Sequence, residues 1–409
     1  MLLKLNKLYF LYKKNIFILN LILLINFIQL KGQETKWHNL LQNNNLNEFV
    51  QLNGKANFAL KNGVLIGTSK LNTPNSFLAT KTKYSNFILE FDVLIDNDLN
   101  SGVQFRSESL KNYMDGRVHG YQCEIETSSR RWAGGVYDEA RRGWLYPLSR
   151  NKIGQEAFIR GSWNKYRIEA IGNSIKTFIN GVEVSNLYDD KTQEGFIAFQ
   201  VHGISNPEQE GKQVRWKNIR ILVTDLERNR MIALNKAPHI SYLDGTLTQE
   251  EKRLGFRMLW DGKTTNGWRG AKMMIFPKKG WEIKDGILTV QASGGKESRN
   301  GGDIVTTESF RNFELSVDFL LSPGANSGVK YLVKTNLNKG EGSSIGLEFQ
   351  ILDDEKHIDY KLGKNGNRSV GSLYDLIRAE NKTTGARGKN FKGVDRWNNA
   401  RIIGNGGKV

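Results

Sequence analysis

Cysteine is almost absent from this chain: Cys123 is the only one in 409 residues. No intrachain disulfide is available, which suits a bacterial periplasm or surface better than a small disulfide-stapled scaffold. A lone cysteine within a strand reads as a small apolar core residue. Histidine is also scarce, with His38, His119, His202, His239 and His357 the only five. No zinc-ligand spacing, phosphate-cradling P-loop, dinucleotide fingerprint or Ser-His-Asp motif occurs. The formal charge is +17, yet no lysine- and arginine-rich block or aromatic-basic interleaving accompanies it. Nucleic acid is therefore not an expected partner. Acidic glycans or an anionic cell surface fit a dispersed positive charge better.

Residues 1–32 differ from the rest. Lys4, Lys7, Lys13 and Lys14 precede an apolar run from Ile16 to Leu30 that is broken only by Asn20, Asn26 and Gln29, and Gly32 follows. This is the pattern of a signal peptide, and it predicts a periplasmic or secreted protein with no membrane span after cleavage. An uncleaved N-terminal anchor is the alternative. No cysteine follows the run, which argues against a lipid-anchored form.

What the chain has in abundance is itself. Asn86–Ser107 and Asn312–Val333 align without a gap at a spacing of 226 residues, with nine of 22 positions identical. Short alternating runs such as Phe87 to Ile95 and Tyr121 to Glu126 are joined by turns such as Asn180-Gly181. Many short strands with little helical periodicity predict an all-β sandwich or jelly roll in each repeat. The expected layout is a first repeat over 33–224, a linker over 225–254 and a second repeat over 255–409. Thr248-Gln249-Glu250-Glu251 is a capping box that predicts a short helix before the second repeat. The second repeat ends at Val409, before any counterpart of the strands that follow Ile179. It is therefore expected to be truncated, as in a fragment of a longer chain.

Alternation sorts strand residues onto faces. Gln104 and Arg106 are expected on one face, as are Gln122, Glu124 and Glu126, and Gln200 and His202. Three neighbouring strands with these faces would form a floor of long polar side chains, suited to sugar hydroxyls, although an antiparallel sheet also commonly has one solvated face. Between them Trp132–Pro147 carries two Trp and two Tyr in 16 residues. Tyr137, Asp138, Arg142 and Trp144 are its candidate sugar contacts, with core packing of the indoles the alternative. In the second repeat Glu348 and Gln350 share a face, exchanged relative to Gln122 and Glu124, and Tyr374 matches Tyr137. Asp353, Asp354 and His357 lie close enough in sequence to ligate a divalent cation; a solvated turn is the alternative.

Several of these segments together resemble a known family. Leu259-Trp260-Asp261-Gly262-Lys263, Asn326-Ser327-Gly328, Glu348 to Asp354, Leu373-Tyr374-Asp375 and Trp397-Asn398 resemble the bacterial 3-keto-disaccharide hydrolase family, also described as 3-keto-glucoside 1,2-lyase/3-keto-2-hydroxyglucal hydratase. The first repeat resembles it through Asn100-Ser101-Gly102, Gly120 to Glu126, Gly135 to Glu139 and Gln200 to Gly203. The resemblance implies two tandem concanavalin-A-like jelly rolls acting on an oxidised glycoside. The first repeat departs from the family at Glu126, where Asp is common.

The implied chemistry is proton abstraction, elimination and hydration. A ketone at C3 acidifies the C2 hydrogen. Glu124 or His202 would remove it, and Arg106, another donor or a divalent cation would stabilise the enolate. A non-catalytic carbohydrate-binding pair and a conventional glycoside hydrolase are the two alternatives. The latter needs two carboxylates across a cleft.

Overall fold

The structure is a computed structural model, and it describes residues 36–42, 45–337, 342–379 and 391–406. The expected signal segment, 1–32, lies outside these residues. Among the described residues no helix is long and apolar enough to cross a membrane.

The first repeat forms two stacked sheets. The nine-stranded sheet runs Ile240–Ser241, Val182–Tyr188, Ser174–Ile179, Asn164–Ile171, Phe87–Ile95, Gln213–Leu222, Val64–Thr68, Asn57–Lys61, with His38–Asn39 also paired to Gln213–Leu222. The seven-stranded sheet runs Gly143–Tyr146, Val136–Glu139, His119–Glu126, Asn100–Glu108, Gly195–Val201, Ser76–Tyr84, Phe49–Asn53. Every pairing but that of Ile240–Ser241 is antiparallel. The period-2 pattern explains the layering. Phe87, Leu89, Phe91 and Val93 from one sheet meet Val103, Phe105, Tyr121, Cys123 and Ile125 from the other in one core. Phe91 stacks on Tyr166 at 5.2 Å and Phe105 on Tyr121 at 5.5 Å. Each fully buried side chain of this size contributes roughly 1.5–3 kcal/mol. Cys123 is buried there as a free thiol.

The Asn100–Glu108 strand does not keep its alternation. Its register with His119–Glu126 shifts between Phe105 and Glu108, and Arg106 adopts a left-handed φ of 45°. This bulge turns Arg106 off the face that carries Gln104. Gly195 passes so close that a Cβ there would lie 2.4 Å from backbone atoms of Arg106 and Ser107.

The segment expected as a linker packs on the first sandwich. Ile240–Ser241 pairs in parallel with Val182–Tyr188, Ala237 joins the core, and the Tyr146 and Tyr242 hydroxyls donate to the Pro238 and Leu145 carbonyls at 2.7 and 2.6 Å. The helix Gln249–Arg253 begins at Thr248 with both bonds of the capping box made.

The second repeat pairs its strands in the register of the first. Phe319 lies opposite Asn398 as Val93 lies opposite Asn164, and Gly328 opposite Gln350 as Gly102 lies opposite Glu124. Here the strands form two-stranded ribbons among the described residues. In the first repeat Phe87–Ile95 is hydrogen-bonded on both edges, and its residues are mostly buried. Phe313–Leu320 is paired on one edge and alternates between half-buried and exposed.

Candidate functional site

The outward face of the seven-stranded sheet carries the polar residues. Val103, Phe105, Tyr121, Cys123, Ile125 and Val136 take the core side, so Asn100, Gln104, Gln122, Glu124, Tyr137 and Glu139 point the other way. Phe77, Ala79, Phe196, Ala198 and Val118 form a small apolar cluster over the other half of this face.

Glu124 ends a relay of side-chain amides. The Ser107 hydroxyl donates to Gln104 Oε1 at 2.7 Å. Gln104 Nε2 donates to Gln122 Oε1 at 2.7 Å, and Gln122 Nε2 donates to Glu124 Oε2 at 3.1 Å. Asn100 Nδ2 donates to the other carboxylate oxygen at 2.5 Å. An ionised carboxylate only accepts, so it sets the direction of every amide in the row. Burial pushes the Glu124 carboxyl up from 4.5 to about 7, against the bonds from Asn100 and Gln122. The nearby Glu126 charge raises it further, and Arg130 lowers it. A carboxyl tuned to neutrality and held in fixed geometry has the properties of a general base.

Gly102 makes room for this relay. A Cβ at position 102 would lie 2.4 Å from Gln122 Cδ, so the glutamine could not remain over the strand. Gly102→Ala is therefore expected to displace Gln122 and lower turnover about 10- to 100-fold, while costing less than about 2 kcal/mol because a flexible side chain yields. Paired kinetics and thermal melts check this; unchanged turnover would mean that the relay does not position Glu124.

Arg130 joins the carboxylates to the aromatic loop. Its Nε donates to Glu126 at 2.9 Å and its Nη2 lies 3.6 Å from Glu124. The guanidinium carbon is 4.9 Å from both the Trp132 and Trp144 rings. Trp132 is buried, whereas Trp144 and Tyr137 are half-buried and 5.2 Å apart. Glu126 also accepts from Ser128 Oγ at 2.6 Å and the Trp132 amide at 2.5 Å, which closes the loop. Glu139 sits on the same face as Tyr137. Burial raises its carboxyl, and Arg117 at 3.3 Å opposes the rise. Sequence reasoning missed Arg130, Glu139 and the part played by Asn100. The four-residue spacing from Glu126 to Arg130 is a signal for the first of these.

Gln200 is fully buried beside this row, one strand beyond Gly102, and neither amide atom has a partner among the described residues. His202 lies just past the same strand, exposed, with Nδ1 2.7 Å from the Gly203 carbonyl. A carbonyl only accepts, so Nδ1 carries a proton and Nε2 is the basic nitrogen of the neutral ring.

Three expected members are elsewhere. Arg106, turned by the bulge, is fully buried and donates to the Ser85 carbonyl at 2.6 Å, the Gly172 carbonyl at 2.8 Å and Asn86 Oδ1 at 3.2 Å. Asp138 is adjacent to Tyr137 in a strand and so takes the opposite face. It binds Arg141 at 2.7 Å and Arg142 at 2.5 Å. Arg142 also reaches Asp189 at 2.8 Å, and the Tyr121 hydroxyl donates to Asp189. This is a buried ion network at the sheet edge, not part of the floor.

In the second repeat Glu348 lies opposite Lys330, and burial raises its carboxyl. Gln350 Nε2 donates to Asn326 Oδ1 at 3.2 Å. The Tyr374 hydroxyl donates to Asp359 at 2.9 Å, under Arg368. The expected cation ligands do not converge. Asp353 accepts from the amides of Gly324, Glu355 and Lys356, Asp354 from that of Val370, and His357 Nδ1 from that of Asp359. These are backbone caps of a turn and a helix start. Among the described residues no group of three His, Cys, Asp or Glu is arranged to hold a metal ion.

The class defined by this geometry is an antiparallel jelly-roll sandwich of the lectin and glucanase kind, with a buried carboxylate and half-buried aromatic residues on the outward face of one sheet. Its solved likenesses include a carbohydrate-binding module from Bacillus subtilis (16% identity, TM-score 0.32, 43% of this chain and 95% of that one) and a Bacillus licheniformis beta-glucanase (11%, 0.32, 47% and 100%). The chain belongs to the 3-keto-alpha-glucoside-1,2-lyase-like domain family, whose model matches residues 36–222 and again 255–409. A 3-keto-disaccharide hydrolase of Bacteroides thetaiotaomicron is 38% identical over 159 residues, which is 36% of this chain. The match spans about half of that relative, 52%.

Proposed function

We propose that this protein is an exported enzyme that cleaves 3-keto-glycosides, 3-keto-disaccharides among them. The observation that carries the reading is Glu124, a buried carboxyl raised to about 7 and oriented by four hydrogen-bonded side chains beside an indole and a phenol. Its carboxylate takes the C2 proton, and the C2–H electron pair forms the enolate of the 3-ketone. Arg130 is the positive charge beside it and offsets the negative charge that develops. The enolate then collapses, the C1–O bond breaks, and the pair leaves on the aglycone oxygen, which takes a proton. His202 Nε2, the basic nitrogen of the ring, takes that proton from solvent and relays it to the departing oxygen. Water adds back with hydroxyl at C1 and hydrogen at C2, giving net hydrolysis. Trp144 and Tyr137 offer faces for the pyranose CH groups, and Gln200 offers a buried donor and acceptor to a hydroxyl.

The test compares a 3-keto-disaccharide with its unoxidised parent in deuterated water. Cleavage of the ketone alone, with deuterium at C2 of the freshly released sugar, is expected. Equal cleavage of the parent, or protium retained at C2, would overturn the elimination route.

A further inference from the structure

The nine-stranded sheet has its own concavity on its outward face, across the sandwich from Glu124. It is a groove of about 440 Å³ between the Trp37–Asn39 segment and the strands Phe87–Ile95, Asn164–Ile171 and Gln213–Leu222. Alternation sends Glu90 and Asp92 outward from the central strand. Asp92 lies between Lys165 and Lys217, and Glu90 between Arg167 and Arg220. Register sets two cations beside each acid, but their side chains part: Lys165 Nζ reaches Glu90 at 3.6 Å, and Lys217 lies 4.1 Å over the Trp163 ring.

Glu90 is committed to the fold. Arg167 binds one oxygen at 2.7 Å, and Arg220 binds the other at 2.6 and 3.0 Å. Burial opposes ionisation, yet the two arginines hold the carboxyl below its usual range. Among the described residues Asp92 accepts one bond, from Asn218 Nδ2 at 2.6 Å. Asn218 sits at a bulge with a left-handed φ of 53°, which lifts its amide out of the ladder and toward the groove. At the rim the Arg220 guanidinium lies 4.5 Å over the Trp37 ring and fixes the indole as a wall.

The chemistry of this groove is selective. Glu90 and Asp92 balance Lys165 and Arg220 among its lining residues, so it favours neither an anion nor a cation. Its lining is mixed, with Trp37, Phe91 and Ile219 offering apolar surface beside the charged and amide groups. An indole wall with a carboxylate acceptor and amide and ammonium donors is complementary to a saccharide, and the volume is that of a small-ligand site. We propose that this groove is a second, non-catalytic site for a neutral oligosaccharide, with Trp37 stacking on one sugar ring and Asp92 and Asn218 taking its hydroxyls. It does not depend on the chemistry proposed at Glu124.

Calorimetric titration of the full chain with cellotetraose, laminaritetraose and maltotetraose tests it. At least one is expected to bind, with affinity falling at least about tenfold in Trp37→Ala and in Asp92→Ala. Glu124→Gln and Trp144→Ala should leave that affinity within about twofold. Asp92→Ala removes an exposed-face acceptor without touching the Trp37 anchor, so it remains informative if Trp37→Ala loosens the N-terminal strand. No binding of any of the three at about 10 mM would overturn the proposal. So would binding abolished by the Glu124 or Trp144 variants and retained by both groove variants.

Discussion

Glu124→Gln is expected to lower kcat/KM on a 3-keto-disaccharide by about 10³-fold while the protein stays folded. The magnitude is that of removing a positioned general base. The unchanged fold follows from the relay. A glutamine at 124 would present a donor where Gln122 Nε2 now donates. Gln122 and then Gln104 can each turn over, which moves the conflict to Ser107. A hydroxyl can accept as well as donate, and the Ser107 hydroxyl has the Phe105 and Tyr121 carbonyls at 3.1 and 3.3 Å for its own proton. The reversed row is therefore satisfied at every position. If the variant kept full activity, the base would be elsewhere on the face, with Glu139 the next candidate.

The same group sets two pH dependences of opposite sign. With its carboxyl at about 7, the basic form grows tenfold per pH unit below neutrality, so kcat/KM should rise and level above about pH 7. Stability moves the other way. The folded state holds this proton more tightly than the unfolded chain, whose value is near 4.5. Unfolding free energy therefore falls as pH rises from about 4.5 to about 7 and is flat beyond, by roughly 3 kcal/mol in all. Glu124→Gln removes that slope. Denaturant titrations of both proteins at pH 5 and pH 8 measure the difference. A wild-type slope no steeper than the variant's would contradict the burial of this charge.

The legible parts of the molecule were those governed by short-range periodicity. Alternation placed Gln122 and Glu124 together because their strand has no irregularity. The repeat was visible as identity, and the Thr248–Glu251 cap as four consecutive residues. What was hidden required either one slipped residue or a distant partner. A single bulge reversed Arg106 relative to Gln104, and no local pattern announces a left-handed arginine. Asp138 and Arg142 looked like loop charges beside Tyr137, but their partner Asp189 lies 47 residues beyond Arg142. The acids at 353 and 354 read as cation ligands because sequence does not show which carboxylates will cap nearby amides.

Arg106→Met is expected to destabilise the first sandwich without a specific catalytic defect. The guanidinium staples three backbone or amide oxygens from two turns, at Ser85–Asn86 and Gly172. Burial lowers its pKa to about 10, so it remains charged at neutral pH. Methionine fills much of the volume but donates nothing. The charge-assisted bonds to the Ser85 and Gly172 carbonyls would be lost, but both residues are exposed and water can take the place of the donor, so each costs about 1–1.5 kcal/mol, whereas Asn86 Oδ1 keeps the Gly172 amide at 2.8 Å. A loss of about 2–3 kcal/mol follows, lowering the melting temperature by roughly 5–10 °C for a sandwich of this size. Lysine should rescue little, because one ammonium cannot span a forked set of acceptors. Below the melting transition, kcat/KM per folded molecule should stay within about threefold of wild type, since a group aimed away from the floor supplies no transition-state charge. A fall of about 10²-fold or more with the fold intact is the signature of a lost enolate donor. That result would return Arg106 to the reaction and require the bulge to invert when substrate binds.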